Sequence, residues 1–112
     1  MTDARDIDYD GRRFHPVGDP SRIAVYRQQD DLLWGEFSGG GARRGSLTGL
    51  RRPDGTLDFT YTMALDDGQV IAGHCLSTPH VLADGRVRLD EVWERFGAHA
   101  ATGVSSIVES LS

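Results

Sequence analysis

The chain has no lysine: all 12 of its Lys+Arg residues are arginine. Schiff-base catalysis and phosphate-loop lysine chemistry are thereby excluded. Cysteine is almost missing as well. Cys75 stands alone, so no intramolecular disulfide can form, and a reducing cytoplasm is the expected compartment. No apolar run approaches the roughly 20 residues of a membrane-spanning helix. The first residues, Met1-Thr2-Asp3-Ala4-Arg5-Asp6, are polar and acidic, the opposite of a signal peptide. Positive charge is in deficit, with 17 Asp+Glu leaving a net charge of −5. Neither nucleic acid nor an anionic membrane is an expected partner, because both need a basic face. The histidines, His15, His74, His80 and His99, show no HxH or HExxH spacing, so neither a metal site nor a cofactor is expected.

Glycine, by contrast, is plentiful at 14 of 112 residues. That length is one domain, with residues 1–8 expected as a loose N-terminal tail. Asp10-Gly11, Gly18-Asp19-Pro20, Asp30-Asp31, Gly39-Gly40-Gly41, Pro53-Asp54-Gly55, Asp66-Asp67-Gly68 and Asp84-Gly85 all carry turn chemistry. Between them lie strand-like segments at residues 12–17, 22–29, 32–37, 43–50, 56–65, 69–77, 86–95 and 101–109. In residues 56–65, Leu57, Phe59, Tyr61, Met63 and Leu65 share one face, and Asp58, Thr60 and Thr62 the other. No helix gives that period. Val87, Leu89, Glu91 and Trp93 form a similar stripe. The inner face of 32–37 stays ambiguous, since Leu32, Trp34 and Glu36 oppose Leu33, Gly35 and Phe37. Val81-Leu82-Ala83 allows a single helical turn, and the end of the chain fits a strand or a short helix.

The fold expectation is all-β: an antiparallel meander of about eight strands closing into a small up-and-down barrel, with a sandwich as the alternative. Closure removes exposed sheet edges. A barrel of this strand number is either filled by side chains or holds one small ligand. In architecture this is similar to lipocalin- or avidin-like barrels.

Several short motifs occur in order along the chain. They are Tyr9-Asp10-Gly11-Arg12 with Phe14, Trp34-Gly35, Gly39-Gly40, Gly45, and Leu57 with Tyr61. Asp67-Gly68, Ser77-Thr78-Pro79, Asp84-Gly85-Arg86 and Leu89-x-Glu91-x-Trp93 follow. The set, spanning about residues 9–109, resembles a family of small bacterial proteins often labelled N-acetylglutamate synthase. The labelled activity is not expected here. An acetyltransferase cradles the acetyl-CoA pyrophosphate at a helix N-terminus, whereas residues 39–45 lie between two strands. Where the family carries arginines beside Cys75, this chain has His74 and Leu76, so no anion site is expected there.

Glu91 is the sharpest anomaly, because strict alternation points its carboxylate inward. It is then half of an ion pair with an inward arginine, a ligand-binding or catalytic acid, or turned outward by a bulge. Glu36 beside Trp34 poses the same question: an acid–base partner for a glycoside or an epoxide, or a solvated strand end. His74 is a hydrogen-bonded core residue or a general base. Cys75 faces the opposite way from His74, so the two cannot form a nucleophilic pair, and it is expected as a buried small hydrophobe. Tyr26, Trp34, Tyr61 and Trp93 line a pocket or fill a core.

Three functional readings follow. The first is a small-molecule-binding barrel with Trp34, Tyr61 and Trp93 as its apolar wall, Tyr26 and Glu36 nearby, and Glu91 as polar handle with Arg12 or Arg88. The second is a cyclase, isomerase or hydratase in which Glu91 or His74 transfers protons. The third is a structural or oligomerisation module, and a homodimer is an open assembly for all three.

Overall fold

The computed structural model describes residues 3–111. Eight strands follow one another in order: β1 (Arg13–Pro16), β2 (Ile23–Gln29), β3 (Leu32–Gly39), β4 (Ala42–Arg51), β5 (Leu57–Leu65), β6 (Val70–Val81), β7 (Val87–Arg95) and β8 (Ala101–Glu109). Each pairs antiparallel with the next, and β8 returns to β1 through Phe14↔Glu109 and Pro16↔Ile107, closing the barrel. The barrel prevails over the sandwich because every connection is short enough for a neighbouring strand. Helix among the described residues is limited to two three-residue 3-10 turns, Ala4–Asp6 and Gly97–His99. The residues at 81–83 make no helical turn: Val81 ends β6 and a hairpin turn follows.

β6 runs four residues beyond its expected end, through Pro79. A proline normally argues against a central strand. Here β5 stops pairing at Leu57↔Ser77, while β7 continues opposite Pro79 and His80. Pro79 thus sits where the strand has one neighbour, and a missing N–H costs least.

The two ends of the barrel differ. At one end, Tyr9, Phe14 and Tyr26 cluster with tilted rings, centroids 4.9–6.3 Å apart, packed with Ile7, Leu33, Leu57, Val87 and Leu89. Residues 3–8 are therefore no loose tail in this structure. Asp3 caps the first 3-10 turn, and Ile7 is buried in the core. Arg51 donates to the Ile7 carbonyl and holds the segment against the β4 end. This end is sealed.

Toward the other end, glycines make room for rings. Phe37 lies opposite Gly45, Tyr61 opposite Gly73 and Trp93 opposite Gly103 across neighbouring strands. A Cβ at any of these glycines would collide with the ring facing it. Each ring packs against its glycine, which fits large side chains into a narrow barrel.

Candidate functional site

Because the rings lie against the wall rather than across the bore, the upper half of the barrel keeps a cavity of about 290 Å³, open at the rim. Its apolar wall comes from Tyr26, Phe37, Phe59, Tyr61, Met63 and Trp93. The polar atoms come from Cys75 and Glu91 on adjoining strands, Ser105 on β8, and Arg22 and Arg95 near the rim. The volume lies at the small end of the usual range for ligand pockets.

Glu91 projects inward, as alternation requires. Its Oε1 accepts from Ser105 Oγ at 3.2 Å, and its Oε2 accepts from Cys75 Sγ at 3.5 Å. Among the described residues it has no ion-pair partner. Arg12 pairs instead with Glu109 at 2.8 Å, and Arg88 with Asp90 at 3.2 Å. The expected ion pair is thus replaced by hydrogen bonds to neutral groups. Burial pushes the Glu91 carboxyl above its ordinary range; those hydrogen bonds and the more distant charge of Arg22 oppose the shift without cancelling it. In its protonated form such a carboxyl can both donate and accept.

Cys75 is held as a thiol. Burial first, then the neighbouring Glu91 carboxylate, pushes it up to about 12. Its Sγ lies 3.6 Å from Ser77 Oγ, itself fully buried. Burial likewise raises the Tyr26 hydroxyl. Cys75, Tyr26 and Glu91 therefore meet at the cavity, and burial pushes all three toward their protonated forms.

The family model of avidin-like proteins matches residues 7–110. The chain belongs to that family. Avidin-like β-barrels typically bind small ligands such as biotin, and often form oligomers. Nothing in the match points to an N-acetylglutamate synthase. No curated protein and no solved structure matches the chain.

Of the site residues expected from sequence, this avidin-like barrel brings Glu91, Tyr26, Tyr61 and Trp93 together at the cavity. It does not bring Trp34, Glu36, His74 or Arg88 there. Leu33 and Gly35 are the buried residues of β3, so Trp34 and Glu36 lie on the outer face. Glu36 pairs with Arg44 at 2.8 Å and its side chain stays 66% exposed. Arg88 pairs with Asp90, which also bonds His80 at 2.9 Å and accepts from Ser106 Oγ.

His74 is likewise outside, with exposed Val70, Ala72 and Leu76 on its face. Its Nε2 lies 2.5 Å from Asp58 Oδ1, and Arg52 pairs with the same carboxylate. His74 and then Arg52 hold the Asp58 carboxyl below its usual range. The face of β6 is hard to read because its outward side is nearly as apolar as its inward side, Ile71, Gly73 and Cys75. What decides it is volume: only Gly73 leaves room for the Tyr61 ring.

Sequence reasoning missed Phe37, Phe59 and Met63 as lining, together with Arg22, Arg95 and Ser105. Arg95 carried a signal, since it continues the inward parity of Glu91 and Trp93. Arg22 precedes β2 and carried none.

Proposed function

We propose that this avidin-like barrel binds one small organic molecule in its interior, with the Glu91 carboxyl as its polar anchor. The carrying observation is an aromatic-walled cavity whose one carboxyl has neutral hydrogen-bond partners only. The apolar body of a ligand would remove water from the faces of Tyr26, Phe59 and Trp93, at roughly 25 cal/mol per Å² buried. Its polar group would exchange hydrogen bonds with Glu91 and Ser105 in a site of low dielectric, where such bonds count most. Proton-transfer catalysis is the weaker reading, because His74 lies on the outer face and Cys75 stays protonated. The lone buried thiol suits a reducing compartment, which favours the cytoplasm.

The test uses intrinsic fluorescence. Trp93 lines the cavity and Trp34 does not, so a Trp34→Phe variant reports on the cavity alone. Biotin and a neutral naphthylamine dye, titrated separately, should include at least one that gives a saturable one-to-one change, undiminished in that variant. A change that fails to saturate, or that vanishes with Trp34, refutes interior binding.

A second surface favours a homodimer. Leu76, Val92 and Val104 form one cross-strand row on the outer face of β6, β7 and β8, 44%, 61% and 79% exposed. Exposed aliphatics in register are a usual mark of an interface. Sedimentation equilibrium decides it: a monomer at all concentrations refutes the dimer.

A further inference from the structure

The protein is acidic, yet among the described residues that line its cavity Glu91 is the one carboxylate, against two arginines. Seven arginines lie within 4 Å of an Asp or Glu carboxylate. Arg22 and Arg95, the two that line the cavity, do not do so among the described residues. Both stand at the same open end: Arg22 just before β2, and Arg95 as the last residue of β7.

Neither is an idle surface side chain. Arg22 Nε donates to the Gly39 carbonyl at 3.1 Å, and Nη2 to the Gly40 carbonyl at 2.9 Å. The β3–β4 turn thus fixes the guanidinium while most of its five N–H donors stay unused. Arg95 is stacked over Trp93, 5.5 Å from the ring centroid, with its charge beside the cavity wall. Both guanidiniums are therefore positioned in advance, which lowers the entropy cost of receiving a ligand. Their planar forks match the geometry of an oxyanion.

Depth separates these cations from the acid. Glu91 lies four residues down β7 from Arg95, roughly 13 Å at about 3.3 Å per residue. A molecule that reaches from rim to floor meets positive charge first, then aromatic wall, then a carboxyl.

We propose that the cavity selects organic anions: a carboxylate head held by Arg22 and Arg95 at the rim, and an apolar body extending along Phe37, Phe59 and Trp93 toward Glu91. The inference rests on the interior-binding reading and adds the ligand's charge and direction. A cationic ligand is disfavoured on two grounds. It would pass two guanidiniums on its way in, and its apolar body would then have to lie beyond its charge, away from the aromatic wall nearest the rim.

Three probes of one shape test this in Trp34→Phe protein: phenylbutyrate, its primary amide, and phenylbutylammonium. Phenylbutyrate should bind about tenfold tighter than the amide at low ionic strength. The preference should shrink as salt is added. Arg95→Gln should weaken phenylbutyrate severalfold more than it weakens the amide, so that the preference falls. Arg22→Gln should do the same; Arg95 is the cleaner site, since Arg22 also ties down the β3–β4 turn. Equal binding of phenylbutyrate and amide overturns the charge assignment while leaving interior binding intact, as does tighter binding of the ammonium. Saturable binding of none of the three, biotin or the dye overturns interior binding and this inference with it.

Discussion

Replacing Glu91 by Gln removes one charge from the barrel interior and keeps the shape of the side chain. The folded protein holds the Glu91 carboxyl above its ordinary value of 4.5, chiefly by desolvation. A carboxyl raised in the folded state binds its proton more tightly there than in the unfolded chain. Its contribution is therefore most favourable below the ordinary value and declines as pH rises through the folded-state value. Every unit of that rise costs the wild type about 1.4 kcal/mol at neutral pH, and a glutamine bears none of it. The amide can still accept from Cys75 Sγ or Ser105 Oγ. Glu91→Gln should thus stabilise by about 0.5–3 kcal/mol at pH 7, the ordinary span for a single substitution. The advantage should vanish near pH 3, where both side chains are neutral. Urea unfolding of both proteins from about pH 3 to pH 8 measures the difference curve. Carboxylates whose folded values are depressed, such as Asp58, tilt both curves equally and cancel. A destabilisation of 3–5 kcal/mol at pH 7 would mean a broken ion pair. A difference independent of pH would mean that Glu91 faces solvent. Either result refutes the assignment.

One further substitution and one reagent probe the sealed end and the thiol. The Tyr9 hydroxyl is buried without a hydrogen-bond partner, so Tyr9→Phe should raise stability by about 1 kcal/mol, and a comparable loss in the thermal melt would show that the hydroxyl is bonded. Cys75, raised to about 12, should react with a disulfide reagent far more slowly in the native protein than in urea. Native labelling as fast as a free thiol would show an open, activated site.

The barrel itself was legible because its two determinants are local. Turn pairs such as Asp66-Asp67-Gly68 mark where the chain must reverse, and the unbroken alternation of β5 names an inner face that the structure keeps. β3 and β6 were not legible in the same way. In each, both faces carry apolar residues, so parity has no reference: Trp34 competes with Leu33 and Phe37, and Val70 with Ile71. The choice is made by neighbouring strands. Gly45 and Gly73 can accept the rings of Phe37 and Tyr61, and no substitute side chain would fit there. Register is thus set by a packing relation between positions far apart in sequence, which a reading of one strand at a time does not contain.

The same distinction explains which parts of the site were found. Glu91, Tyr61 and Trp93 belong to strands whose parity is self-evident, and all three line the cavity. His74 and Trp34 were judged by residue type on strands of ambiguous parity, and both lie outside. Their chemistry is spent on the surface, His74 within the Asp58–Arg52 cluster. Arg22 depends on still more distant information. It faces the rim because the β3–β4 turn presents two carbonyls to it, and that turn lies 17 residues away in sequence at Gly39. Strand periodicity shows which side chains enter a barrel. Arg95 at its mouth follows that period, whereas Arg22 is placed by loops, whose contacts have none. The polarity a ligand would meet at the mouth is therefore written partly in a segment that alternation cannot reach, and Arg22 had to be found from its missing carboxylate partner.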